Sequence, residues 1–193
     1  MFTSNKWTLT PIWVMTVMFI CVSALVSAAA ESEHTPTYNI GRPASQAEIH
    51  AWNIDIAPNG EGLPSGQGTV IEGATVYTNI CASCHGLTGI EGPMPILIGG
   101  RDTLTTNQPL KTVGSYWPYA TTLYDYIYRA MPLNAPQSLS PQQVYAVVAW
   151  ILFRNGIIEE STILNAQTLP AVHMPNQKGF VRDTRPDVSR MVP

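Results

Sequence analysis

Apolar residues in this chain fall into one long run near the N-terminus, three stretches at helical spacing, and scattered singles elsewhere. The first helical stretch opens at Thr69. Thr69-Val70-Ile71-Glu72 has the form of a capping box, in which hydroxyl and carboxylate each satisfy an otherwise orphaned backbone amide. Ala74, Tyr77 and Cys81 follow on one face. A second helix is predicted over 121–130, with Leu123, Ile127 and Ala130 along one side. The third is the clearest. Ser140 is an N-cap, Pro141 suits the first helical position, and Gln143 completes the box. Val144, Val147, Val148, Ile151 and Leu152 keep the i, i+3, i+4 rhythm of a buried face. Asn155-Gly156 then supplies a residue suited to the left-handed turn that closes a helix. No stretch alternates as a strand would, and no internal repeat is visible.

Between and around these helices the chain is irregular. Residues 31–65 are rich in Pro, Gly, Ser and Asn and read as an extended N-terminal arm. Two apolar patches, Ile49–Trp52 and Ile54–Ile56, predict that this arm is pinned to something. Residues 90–107 form a Gly- and Pro-interrupted loop. Residues 159–193, with Pro170, Pro175, Pro186 and Pro193, read as an extended C-terminal arm. The globular domain is therefore expected over 66–158.

The apolar run from Ile12 to Val26 follows Lys6, the one charge before Glu31, and ends in Ser27-Ala28-Ala29-Ala30. A short basic region, an apolar segment and small residues at its end make residues 1–30 a secretory signal peptide. The rival reading is an uncleaved membrane anchor, since 12–30 approaches the roughly 20 residues that span a bilayer. Both readings place the remainder outside the cytoplasm, in the periplasm or on the extracytoplasmic face of the membrane. Cys21 has no lipid-attachment context and reads as a packing residue of that segment.

The 193 residues are 45% hydrophobic and only 12% charged, with a net charge of −3. Removing residues 1–30 leaves 9 basic against 13 acidic groups, or −4. The absence of any basic run argues against a nucleic-acid partner. The three cysteines, with one close pair, do not make a disulfide scaffold.

That close pair carries the chemistry. Cys81-Ala82-Ser83-Cys84-His85 is a C-x-x-C-H sequence, the attachment motif of a c-type haem. Side chains three apart on a helical turn share a face, so both sulfurs can reach the two vinyl groups on one porphyrin edge. His85 then lies under the iron as an axial ligand. A thioredoxin-like pair would follow a strand and open a helix, whereas this pair ends one. A zinc site would need two further ligands, and His34, His50 and His173 lack metal spacing. One covalent haem c, with its iron, is the expected cofactor.

The opposite axial ligand is expected to be Met131, which ends the second helix and opens the loop 132–139. Met94 lies only ten residues past Cys84, on the His85 side. His173 and Met174 remain alternatives. Ligation by His and Met raises the reduction potential and saturates the iron, which argues against substrate chemistry there. The carbonyl of Pro93, in Gly92-Pro93-Met94, is expected to hold the imidazole of His85 in orientation. Tyr116, Trp117, Tyr119, Tyr124, Tyr126 and Tyr128 are candidates to shield the haem edge or bond a propionate, and Arg101 to pair with one.

The order helix, CASCH, Gly-Pro loop, helix, Met-Pro, helix resembles class I cytochrome c over about residues 66–158. The resemblance implies an all-α class I cytochrome c fold with irregular N- and C-terminal arms. It also implies that Gly73 and Tyr77 cross the last helix near Trp150. A narrower resemblance covers more of the chain. Gly41-Arg42-Pro43-Ala44, Trp52-Asn53-Ile54-Asp55, the stretch KTVGSYWPYATT from Lys111 to Thr122, and Met174-Pro175-Asn176 are similar to the cytochrome subunits of Sox-type sulfite and sulfane dehydrogenases. That likeness implies a molybdenum-cofactor dehydrogenase subunit as electron donor and a further cytochrome or an oxidase as acceptor. Longer members of that family carry a second haem; this sequence has one C-x-x-C-H.

Two other classes of function compete. A free or membrane-tethered shuttle, with residues 12–30 as its tether, would pass electrons to a terminal oxidase. A sulfur-oxidising enzyme acting at its own haem would need an unusual distal ligand, and residues 31–193 hold no third cysteine to supply one. The arms favour a complex subunit, because ordering them costs conformational entropy that a partner surface helps to offset.

Overall fold

The computed structural model describes residues 40–185. The predicted signal or anchor over 1–30, the start of the N-terminal arm and the end of the C-terminal arm lie outside the described residues. Two compact units divide the chain at Ala44. Of the first, Ile40–Ala44 are described; they are exposed and lack regular structure.

The second unit begins with α1 (Gln46–Trp52), a short helix closed by a Ser45–Glu48 capping box. Strand β1 (Gln67–Thr69) leads directly into α2 (Val70–Val76), then a π-helical segment Tyr77–Cys81, then α3 (Ala82–His85). Helices α4 (Ala120–Ala130) and α5 (Pro141–Arg154) follow, then β2 (Ile163–Asn165) and a 3₁₀ turn at Leu169–Ala171. Among the described residues no helix is long and apolar enough to cross a membrane.

Both domain capping boxes form as the sequence dictates. Thr69 Oγ1 accepts from the Glu72 amide while the Glu72 carboxylate accepts from Thr69 N. Ser140 and Gln143 do the same for α5. Helix α5 is the centre of the core. Every residue from Val144 to Leu152 is buried, which exceeds the single apolar stripe that helical spacing predicts. Other segments pack around it on all sides.

Helix α2 crosses α5 at Gly73. A Cβ there would collide with the Ala146 carbonyl and lie 2.8 Å from Trp150 Cβ. One turn on, Tyr77 stacks on Trp150, with ring centroids 3.8 Å apart. Tyr77 and Trp150 are both buried.

Three features depart from the sequence prediction. β1 and β2 pair antiparallel, with Gly68 opposite Leu164. Each strand is three residues long, too short to show alternation. The stretch after residue 158 is not wholly an arm, since Leu164, Leu169 and Met174 are buried in the core. Asn165 Oδ1 accepts from the amides of Gln167 and Thr168, and the Thr168 hydroxyl donates to Ile163 O, so local polar groups turn this segment back on itself. The N-terminal arm is likewise pinned at only one of its two patches. Ile56 is buried and its amide donates to Asp125 Oδ1 at 2.9 Å. Ile49 and Trp52 stay exposed on α1, which is helical where the sequence predicts extended chain, because the Ser45–Glu48 box satisfies its first backbone amides.

Replacing Gly73 with Ala forces a methyl into the helix crossing. The expected loss of stability is about 1–3 kcal/mol, read from the guanidinium unfolding midpoint.

Candidate cofactor site

A cavity of about 550 Å³ opens between the C-x-x-C-H turn, the loop from Met94 to Leu97, helix α4 and the start of the loop after it. That size falls in the roughly 300–1,000 Å³ range of cofactor sites. Its walls are mainly apolar: Ile80, Leu97, Val113, Leu123, Ile127, Leu139 and Val147 are among them.

The motif sits on one wall because of what precedes it. Tyr77, anchored against Trp150, donates its hydroxyl to Gly86 O at 2.9 Å. Burial first, then the neighbouring Cys81 and Glu91, pushes that phenol up to about 12, so it stays a donor. The π-helical segment between Tyr77 and Cys81 widens the backbone just before the cysteines, a distortion that recurs at functional sites. Cys81 and Cys84 are free thiols, both lining the cavity. Burial, helped by Cys84, pushes the Cys81 thiol up to about 11, so it is neutral at ordinary pH.

His85 lines the cavity, and its Nδ1 lies 3.0 Å from Pro95 O. With the proton on Nδ1 it donates to that carbonyl and leaves Nε2 as the free ligand atom. The partner is thus Pro95, not Pro93. Gly92 runs so close to the motif that a Cβ would meet Cys84 O and the His85 carbonyl carbon. Met94 N then donates to Cys84 O at 3.0 Å. The chain is still passing the backbone of the motif at Pro93 and reaches the imidazole two residues later. This loop is tied to α5 by Asn155, whose Oδ1 accepts from Gly99 N and whose Nδ2 donates to Leu97 O and Ile151 O.

Of the methionines considered as ligands, Met131 and Met94 line the cavity. Met94 is held by its amide to the turn that carries His85. Met131 caps α4, its amide donating to Ile127 O. Met174 is buried in the core and His173 is exposed; neither lines the cavity. Trp117 and Tyr126 of the aromatic group do line it, meeting edge to face at 5.8 Å. Tyr124 instead packs with Tyr128 and Tyr145. Arg101 donates to Asn155 O and is not part of the lining. The cationic side chain that lines the cavity is Lys111, whose Nζ also lies 4.9 Å from the Tyr116 ring centroid. A single lysine carries no spacing signal, so the place of Lys111 in the cavity wall was not legible from the sequence.

Two unpaired thiols, an imidazole with one nitrogen already committed, a thioether and an apolar pocket of cofactor size make a donor set that fits a covalently bound haem.

Comparisons agree with this geometry. The family Cytochrome c matches residues 70–153. No curated protein sequence matches the chain. Among solved structures, the chain is similar to the crystal structure of the sulfane dehydrogenase SoxCD from Paracoccus pantotrophus. Identity is 39%, the TM-score is 0.72, and the match covers 81% of this chain and 80% of that one.

The loop 86–91 is held by one carboxylate. Thr88 Oγ1 and the amides of Thr88 and Ile90 all donate to Glu91. These bonds, led by the Thr88 hydroxyl, hold its carboxyl down at about 2. A depressed carboxyl stabilises the fold above its unfolded value, and that contribution is lost as pH falls from 4.5 through about 2. Glu91→Gln is therefore expected to flatten the acid limb of stability in that window, measured as the urea midpoint against pH.

Proposed function

This chain belongs to the class I cytochrome c family, in its Sox-type branch, and from that premise we propose that it is the electron-accepting subunit of a molybdenum-dependent sulfite or sulfane dehydrogenase outside the cytoplasm. It carries one covalent haem c, since the sequence holds a single C-x-x-C-H.

The observation that carries this reading is the extent of the likeness. Electron transfer follows from the cytochrome domain at residues 70–153. The similarity to SoxCD reaches 81% of the chain and so runs well into the flanks that a free carrier does not need. The exposed Trp52 and Ile49, three apart on α1, add apolar surface of the kind that anchors protein partners.

Each residue has a part in the transfer. Cys81 and Cys84 would hold the porphyrin through thioethers, and His85 Nε2 and Met131 Sδ, which line the same cavity, would supply the ligands to its iron. The haem, when bound, supplies a one-electron couple. Pro95 O orients His85 and makes it a stronger donor. The apolar walls keep water out and limit the reorganisation that a change of charge demands.

Met131→Ala is expected to abolish the methionine–ferric charge-transfer band. It is also expected to lower the potential by an appreciable part of the roughly 0.8 V that axial ligands span. An unchanged spectrum moves the ligand elsewhere.

Purification from the native periplasm or membranes is expected to bring down a second subunit and molybdenum in near-equimolar amount, measured by elemental analysis. A monomer free of molybdenum that turns over with an oxidase alone contradicts the subunit reading.

A further inference from the structure

Helix α4 has two working faces. Leu123, Tyr126 and Ile127 line the cavity. Thr121 and Asp125, one turn apart, lie on the other side at 100° per residue. That second face holds the N-terminal arm. Thr121 Oγ1 donates to Pro58 O at 3.1 Å. Asp125 Oδ1 accepts from Ile56 N at 2.9 Å and from Arg129 Nε at 2.9 Å, while Arg129 Nη2 donates to Oδ2. Ile56, Thr121 and Asp125 are all buried. A carboxylate buried there is costly unless its bonds are kept, so the arrangement resists sliding or rotation of the helix against the arm.

Met131 is the C-cap of this same helix, its amide held by Ile127 O at 3.1 Å. Rotation or depth of α4 therefore sets where the thioether lies. A thioether is a weak, neutral donor, and a competing ligand displaces it readily unless the protein holds it in place.

We propose that the segment 56–58, clamped by Asp125 and Thr121, is the brace that keeps α4 turned so that Met131 stays on the iron, with Asp125 as its positioning residue. This rests on Met131 being the ligand. The arm is thereby part of the cofactor site, acting through the far side of the helix.

Imidazole binding to the ferric holoprotein tests this directly, since imidazole must displace the methionine. Asp125→Asn keeps the shape but loses the charge-assisted bonds, and is expected to raise imidazole affinity about tenfold. Thr121→Val, a gentler change, is expected to raise it by about threefold. In a Met131→Ala background neither substitution should alter imidazole affinity, because the ligand it braces is gone. Should Asp125→Asn fail to load haem, Thr121→Val alone carries the comparison. Wild-type imidazole affinity in the single variants, with the charge-transfer band intact, overturns the brace even if thermal stability falls. Equal added gains in the Met131→Ala background overturn it as well. A wild-type protein that lacks the band and binds imidazole as tightly as Met131→Ala fails the ligand reading itself, and with it the premise of the brace.

Discussion

The crossing of α2 over α5 governs the rest of the molecule. Gly73 lets the two backbones meet at Ala146, and the close approach brings Tyr77 flat against Trp150. Because Tyr77 also donates to Gly86 O, the crossing reaches the C-x-x-C-H turn through a single side chain. A cysteine pair and a histidine are only as well placed as the helix that carries them. Here that helix is fixed at its start by the Thr69–Glu72 box, in its middle by a backbone contact, and past its end by a phenol.

The two walls of the cavity are set by different means. On the His85 side a loop is pressed to the motif by Gly92 and tied to α5 through Asn155, so that Pro95 O meets the imidazole. On the Met131 side a helix does the work, buried through Leu123 and Ile127 and tied behind to the N-terminal arm. The loop wall is short, yet it too depends on a distant contact, since Asn155 lies 58 positions past Leu97. The helix wall depends on contacts with residues 69 and 63 positions earlier in the chain, at Ile56 and Pro58.

Local signals proved legible in proportion to how local their causes are. Capping boxes are closed within four residues, and both domain boxes formed as read. The apolar rhythm of α5 identified the central helix, though its burial on all sides needed neighbours that spacing does not reveal. Pro93 was a reasonable partner for His85 by distance along the chain. Pro95 holds the place because Gly92 lies against the motif backbone, a contact visible only in three dimensions. The place of Lys111 in the cavity wall and the burial of Leu164, Leu169 and Met174 were not legible for the same reason. Their neighbours are distant in sequence, and no periodicity announces them.

By itself the sequence determined the cofactor chemistry. Two sulfurs and an imidazole at C-x-x-C-H spacing have little else to do on a helical turn, and the spacing is covalent. It also determined the helices from Thr69 onward, since caps and periodicity act over one or two turns, but not α1, which lies in a stretch read as an extended arm. Tertiary structure decided which carbonyl orients His85, which side chains close the cavity, and how the flanks join the core through β1, β2 and the Asp125 contact. Those outcomes depend on segments meeting across long loops. Backbone close approach and shape selection settle such meetings, and neither is written in the order of residues along any one element.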